Sequence, residues 1–180
     1  GSHESLCLNA AGSPTYTLYE QGDINNELAV ASALVKPGDF DIPTLSQHAP
    51  AAFIATPILK TVDKPALPMA SALSVLLRKI GQLPQRACFI YGGNWLADPC
   101  YPQDAKRVSL FGHSSNQEMY SLPGTPDLKE NDFMFFRPRQ SEAVFLQFGQ
   151  IAVYEQGKIV DWWSVFDTSK TPRLMKERRL

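Results

Sequence analysis

The sequence predicts an α+β chain that is mainly β. Two observations carry that expectation. Within 132–166, short aromatic and β-branched runs (Phe133 to Phe136, Ala143 to Phe148, Ile151 to Tyr154, Ile159 to Val165) are separated by proline, polar or glycine breaks, the pattern of a β-meander. Only one segment, Met69 to Ile80, repeats its apolar residues at helical spacing, through Ala70, Leu73, Leu76, Leu77 and Ile80. Arg78 and Lys79 suit the last turn of that helix, Gly81 suits its C-cap, and the stripe reads as packing.

Taken in order, Gly1-Ser2-His3 reads as a tag remnant. Ser5 to Asn9 reads as a strand running into the small-residue loop Ala10 to Tyr16, where turn chemistry and backbone contact with an anion are both open. Leu28 to Val35, stopped by Lys36-Pro37-Gly38, is expected as a buried strand, and Ala51 to Thr61 as a second one interrupted near Pro57. Ala87 to Tyr91 is a strand entering the tight loop Gly92-Gly93-Asn94-Trp95. Asp98 to Arg107 is Pro- and charge-rich and reads as loop, Val108 to Tyr120 as strand then polar turn, and Ser121 to Asn131 as a connection. In the final meander, Gly157 closes a hairpin in Glu155-Gln156-Gly157-Lys158. The last run is apolar on both parities, so cover on both faces is expected.

The formal charge of −1, from 17 Lys+Arg and 18 Asp+Glu, gives no general attraction for nucleic acid or an anionic membrane. The basic tail 169–180 reads as a solvated terminus. Cys7, Cys88 and Cys100 share no metal-binding spacing and suggest no disulfide framework, which points to a reducing, cytoplasmic compartment. No run approaches the roughly 20 apolar residues of a membrane helix.

Residue chemistry alone declares no catalytic site. His48 and His113 lack partners at ligand spacing and read as surface or hydrogen-bonded histidines, Glu118 and Glu142 as solvated carboxylates, and Arg137-Pro138-Arg139 as a solvated strand end or an anion contact. No serine stands in a nucleophile-elbow pattern.

Four segments taken in order, LNAAGSPTY (8–16), NELAVASALVKPGDFD (26–41), AAFIATPIL (51–59) and 132–166, resemble the C-terminal part of D-serine dehydratase-like and D-threonine aldolase-like enzymes. These are pyridoxal-phosphate (PLP) enzymes of the alanine racemase type, which join an N-terminal (β/α)8 barrel to a C-terminal β domain. The resemblance implies that residues 4–41 are the last strand–loop–strand portion of a PLP-binding barrel and 42–168 the antiparallel C-terminal β domain. It implies a phosphate site at Gly12, Ser13, Thr15 and Tyr16, a small amino-acid substrate and a homodimer. A Schiff-base lysine is expected upstream, on a missing N-terminal barrel segment, so that the chain alone is inactive as a lyase, aldolase or racemase. Where metal-dependent members carry histidine and cysteine or aspartate, this chain has Gln140 and Glu142, and where they often have Glu-His-Gly it has Glu118-Met119-Tyr120; no metal is therefore expected. A non-enzymatic β module for binding or assembly, or a PLP carrier of the same fold, are the alternatives.

Overall fold

A computed structural model describes residues 6–19, 25–68 and 70–166. Gly1-Ser2-His3, read above as a tag remnant, and the basic tail lie outside them. The chain divides into two compact units, residues 1–141 and 142–180.

The first unit is built on a five-stranded antiparallel sheet in the order β5-β7-β3-β4-β6. Its centre is β3 (Ile54–Asp63), where Ile54, Thr56 and Ile58 alternate into the core. The first half of β3 pairs with β7 (Phe133–Pro138) from Ile54↔Phe136 to Pro57↔Phe133, and the second half with β4 (Arg86–Ile90) from Ile58↔Ile90 to Asp63↔Arg86. Pro57, which has no N–H to give, stands at that handover, and its carbonyl accepts the Tyr91 N–H at 3.1 Å. The strand thus continues through a proline expected to interrupt it.

Two further strands close the sheet. β5 (Ala97–Tyr101) takes the first part of the loop expected at Asp98 to Arg107, whose remainder is irregular as expected; at the sheet edge Pro99 breaks no interior ladder. β6 (Met119–Ser121) follows a 3-10 turn at Ser109–Phe111, the reverse of the expected strand-then-turn order. Met134 and Phe136 fill the core against β3, while Leu83, Ala87, Val108 and Met119 form a second cluster, joined by Leu77 and Phe89.

Helix α1 (Ser71–Lys79) lies where the periodicity puts it, and Gly81 follows it at φ +77. Its packing differs from expectation. Ser74 and Leu77 turn inward, whereas Leu73, Leu76 and Ile80 are exposed. Spacing shows that a helix has an apolar face; it does not show that this chain covers that face.

At the N-terminal end, β1 (Asn9–Ala10) and β2 (Glu27–Leu28) form a short parallel pair, Asn9↔Glu27 and Ala10↔Leu28. Side chains hold it: Asn26 Oδ1 accepts the Leu8 N–H at 2.8 Å, and Asn9 Nδ2 donates to Glu27 Oε1 at 2.5 Å. The long strand expected at Leu28 to Val35 is otherwise a 3-10 turn at Ser32–Leu34. There the Ala31 and Ala33 N–H groups both donate to Ser13 Oγ at 3.1 Å, so a hydroxyl takes bonds that a ladder would need.

A second helix, α2 (Ser141–Phe145), spans the junction and replaces the strand expected at Ala143 to Phe148. So short an apolar run is ambiguous between helix and strand, and Glu142 in the first turn favours helix. In the second unit β8 (Gln150–Glu155) and β9 (Lys158–Ser164) pair with each other. The meander is thus split, because β7 belongs to the larger sheet. Gln156 and Gly157 take φ +46 and +85, the two left-handed residues of a type I′ turn, as the hairpin reading requires. The expected cover on both faces of β9 is absent among the described residues: Trp162 and Trp163 are exposed. Among the described residues no helix is long and apolar enough to cross a membrane.

Candidate functional site

The best-organised polar cluster lies where β4 and β6 meet. The Ile90 N–H donates to the Glu118 carbonyl and the Glu118 N–H to the Gly92 carbonyl, both at 3.1 Å, which sets Glu118 beside the turn leaving β4. That turn needs both glycines. Gly92 has φ +85 and Trp95 packs where its Cβ would stand; Gly93 has φ +141, and a Cβ there would sit 2.5 Å from Glu118 Cβ and run into the Ser114 carbonyl. Trp95 and Tyr120 both meet Phe136 edge-on, with ring centroids 5.6 and 5.0 Å away.

Glu118 is 2% exposed and its carboxylate is surrounded by donors. The Asn94 N–H donates to Oε2 at 3.0 Å, the Tyr120 hydroxyl to Oε2 at 2.9 Å, and His113 Nδ1 meets Oε1 at 2.9 Å. These bonds satisfy a carboxylate that would otherwise be costly to bury. Burial first, then the bond to Glu118, pushes the Tyr120 hydroxyl above its ordinary range, so it remains a donor. An acceptor-only carboxylate keeps a proton on His113 Nδ1. The cluster borders a cavity of about 570 Å³ whose wall also carries Trp95, Asp98, Arg107 and Arg139.

The Gly12–Tyr16 segment forms a turn directly after β1. The Thr15 and Tyr16 N–H groups both donate to the Gly12 carbonyl at 3.0 Å, whereas the Gly12 and Ser13 N–H groups make no hydrogen bond among the described residues. The turn is braced. Ser13 Oγ holds the 31–33 backbone, Thr44 Oγ1 donates to the Pro14 carbonyl at 2.6 Å, and the Tyr16 hydroxyl meets His48 Nε2 at 2.5 Å.

The other candidates are placed plainly. Glu118 is buried rather than solvated, and His113 is bound to it. Gln140 and Glu142 are exposed, and no group of three or more His, Cys, Asp or Glu suited to a metal occurs among the described residues. Arg137 is committed to Asp41, at 2.7 and 2.8 Å, and to the Lys36 and Pro37 carbonyls; Arg139 pairs with Asp39 at 3.0 Å. Both arginines of the Arg-Pro-Arg stretch therefore have protein partners. The signal that sequence reading missed was a glutamate and a tyrosine two apart, Glu118 and Tyr120, which share one face beside the Gly92-Gly93 loop.

Comparison of the chain with known protein families, with curated proteins and with solved structures gives no match.

Proposed function

We propose that this chain is the C-terminal portion of a PLP-dependent enzyme acting on D-amino or β-hydroxy amino acids, by elimination, retro-aldol cleavage or racemisation, in a reducing compartment. One observation supports the reading: a parallel strand pair leads at its C-terminal end into a braced turn in which two adjacent backbone N–H groups, of Gly12 and Ser13, find no partner among the described residues. Ligands of parallel α/β folds bind at that end of the strands.

The residues fit a phosphate. The Gly12 and Ser13 N–H groups and the Thr15 hydroxyl would hold its oxygens. The Ser13 hydroxyl, having accepted two N–H bonds, retains its own proton to donate. Tyr16, fixed by His48, walls the turn. When bound, PLP supplies an electron sink for the substrate α-carbon; this chain's part is to anchor, orient and enclose. Lys36, the first lysine of the chain, donates to the His48 carbonyl at 2.8 Å and pairs with Asp41 at 3.8 Å. On this reading the lysine that bonds the cofactor would stand on the barrel portion of the complete gene product.

The test is an absorbance titration with PLP on this chain and on the complete gene product, followed by borohydride. A borohydride-sensitive band is expected with the complete product and not with the chain alone. No PLP binding by either would overturn the proposal, as would turnover of D-serine or D-threonine by the chain alone. A binding module is the second reading, favoured by the spending of the Thr15 and Tyr16 N–H groups inside the turn.

A further inference from the structure

The second unit carries a hairpin with one open apolar face. In β8 the alternate residues Ala152 and Tyr154 point to one side, and their cross-strand partners on β9 are Trp162 and Ile159. All four are exposed, Tyr154 by 72% and Trp162 by 55%, whereas Ile151 and Val153 on the other side of β8 are half-buried. The open face holds no charge. Gln150 and Ser164 pair at its far end, and Asp161 stands opposite Val153, where its carboxylate accepts the Trp163 indole N–H at 3.0 Å. Phe166, just beyond β9, is exposed as well.

Charge is uneven along the sequence. Residues 169–180 hold five cations, Lys170, Arg173, Lys176, Arg178 and Arg179, against Glu177 alone, a local +4 in a chain whose total is −1. Only Asp167 and Thr168 separate Phe166 from that segment.

We propose that the open face of the β8–β9 hairpin docks on an anionic lipid bilayer, with Tyr154, Ile159 and Trp162 entering the headgroup boundary and the basic segment 169–180 held by the lipid charge. Tryptophan and tyrosine suit that boundary, because each ring is apolar and keeps a polar handle for the headgroups. A small apolar contact alone gives only weak, reversible attachment, and a polybasic segment beside it supplies the second signal that holding at a surface needs. A protein partner could use the apolar face without any cations next to it; charge complementarity is what selects an anionic bilayer. The remainder of the chain is net acidic and is repelled by such a surface, so contact is confined to this segment. The inference owes nothing to the cofactor reading.

The test is flotation of the full chain with vesicles of phosphatidylcholine alone or with about 30% phosphatidylserine, read together with tryptophan emission. Trp95, packed edge-on against Phe136, gives a constant background, so a blue shift reports the hairpin tryptophans. Binding is expected with the phosphatidylserine vesicles, at least about tenfold weaker with neutral ones, and weakened as salt rises toward about 1 M. Changing Lys170, Arg173 and Lys176 together to Gln should weaken it about a hundredfold, at about fivefold per charge. Lys60→Gln, an exposed lysine of the first unit, should leave binding unchanged. Trp162→Ser should weaken binding at least about tenfold and remove much of the blue shift. If Trp162→Ser disturbs the hairpin, the triple variant, which leaves every hairpin residue in place, still decides the matter. No flotation with phosphatidylserine vesicles, equal binding to neutral vesicles, or unchanged binding by the triple variant overturns the proposal. So does a dimer in sedimentation that Trp162→Ser dissociates, because a second copy then covers the face.

Discussion

Gly93→Ala is expected to be among the most damaging single-methyl additions in the first unit. The backbone at Gly93 stands at φ +141, a region that only glycine occupies without strain, so an alanine there costs roughly 1–3 kcal/mol before any contact is counted. The added Cβ would lie 2.5 Å from Glu118 Cβ and 3.0 Å from Glu118 Oε2, and would also press on the Ser114 carbonyl. Forcing a methyl into packed surroundings costs about a further 1–3 kcal/mol. The sum is roughly 2–6 kcal/mol, and at about 2–4 °C per kcal/mol for a chain of this size the midpoint should fall by about 4–24 °C. Two other glycines separate the causes. Gly81 has φ +77 but nothing within 4 Å of its would-be Cβ, so Gly81→Ala should show strain alone; Gly124 has no strained φ and open space, so Gly124→Ala should be nearly silent. Thermal melts by circular dichroism on the three variants decide it. A Gly93→Ala midpoint within about 1 °C of Gly124→Ala refutes the reasoning, and equal losses at Gly93 and Gly81 show that crowding against Glu118 contributes nothing.

Ser13→Ala strands the Ala31 and Ala33 N–H groups, of which Ala33 is buried, and should cost about 1–3 kcal/mol in a denaturant titration. The Arg137 hydrogen bond, reinforced by the charges of Arg137 and Lys36, holds the Asp41 carboxyl below its ordinary value. Its folded pKa is depressed, so the stabilisation is present above the ordinary carboxylate range and lost as pH falls through the folded value. Accordingly, the stability gap between the wild type and Asp41→Asn should be full at about pH 6 and shrink below about pH 4; a gap independent of pH would contradict the pairing. Burial pushes the Cys88 thiol up to about 12, so under native conditions a thiol reagent should label the exposed Cys7 and Cys100 while Cys88 reacts only on unfolding.

The sequence by itself was enough for elements whose cause is local. Helix α1 follows from spacing and its Gly81 stop, the β8–β9 hairpin from the left-handed preference of Gly157, and the braced turn from small residues around Ser13. It was also enough to place a tight loop at Gly92-Gly93-Asn94-Trp95, though not to show what the loop packs against. Tertiary structure decided the rest, because the deciding contacts join residues far apart in the chain. β3 crosses Pro57 because it changes partners there, a fact of sheet order. Ser32–Leu34 gave up strand geometry because Ser13, about 20 residues earlier, competes for its N–H groups. Glu118 reads in sequence as one more solvated carboxylate. It becomes a buried, three-donor anchor only because β4 pairs with β6 and brings Asn94, His113 and Tyr120 around it, and a pattern of apolar residues carries no record of which polar side chains such pairing will bring together.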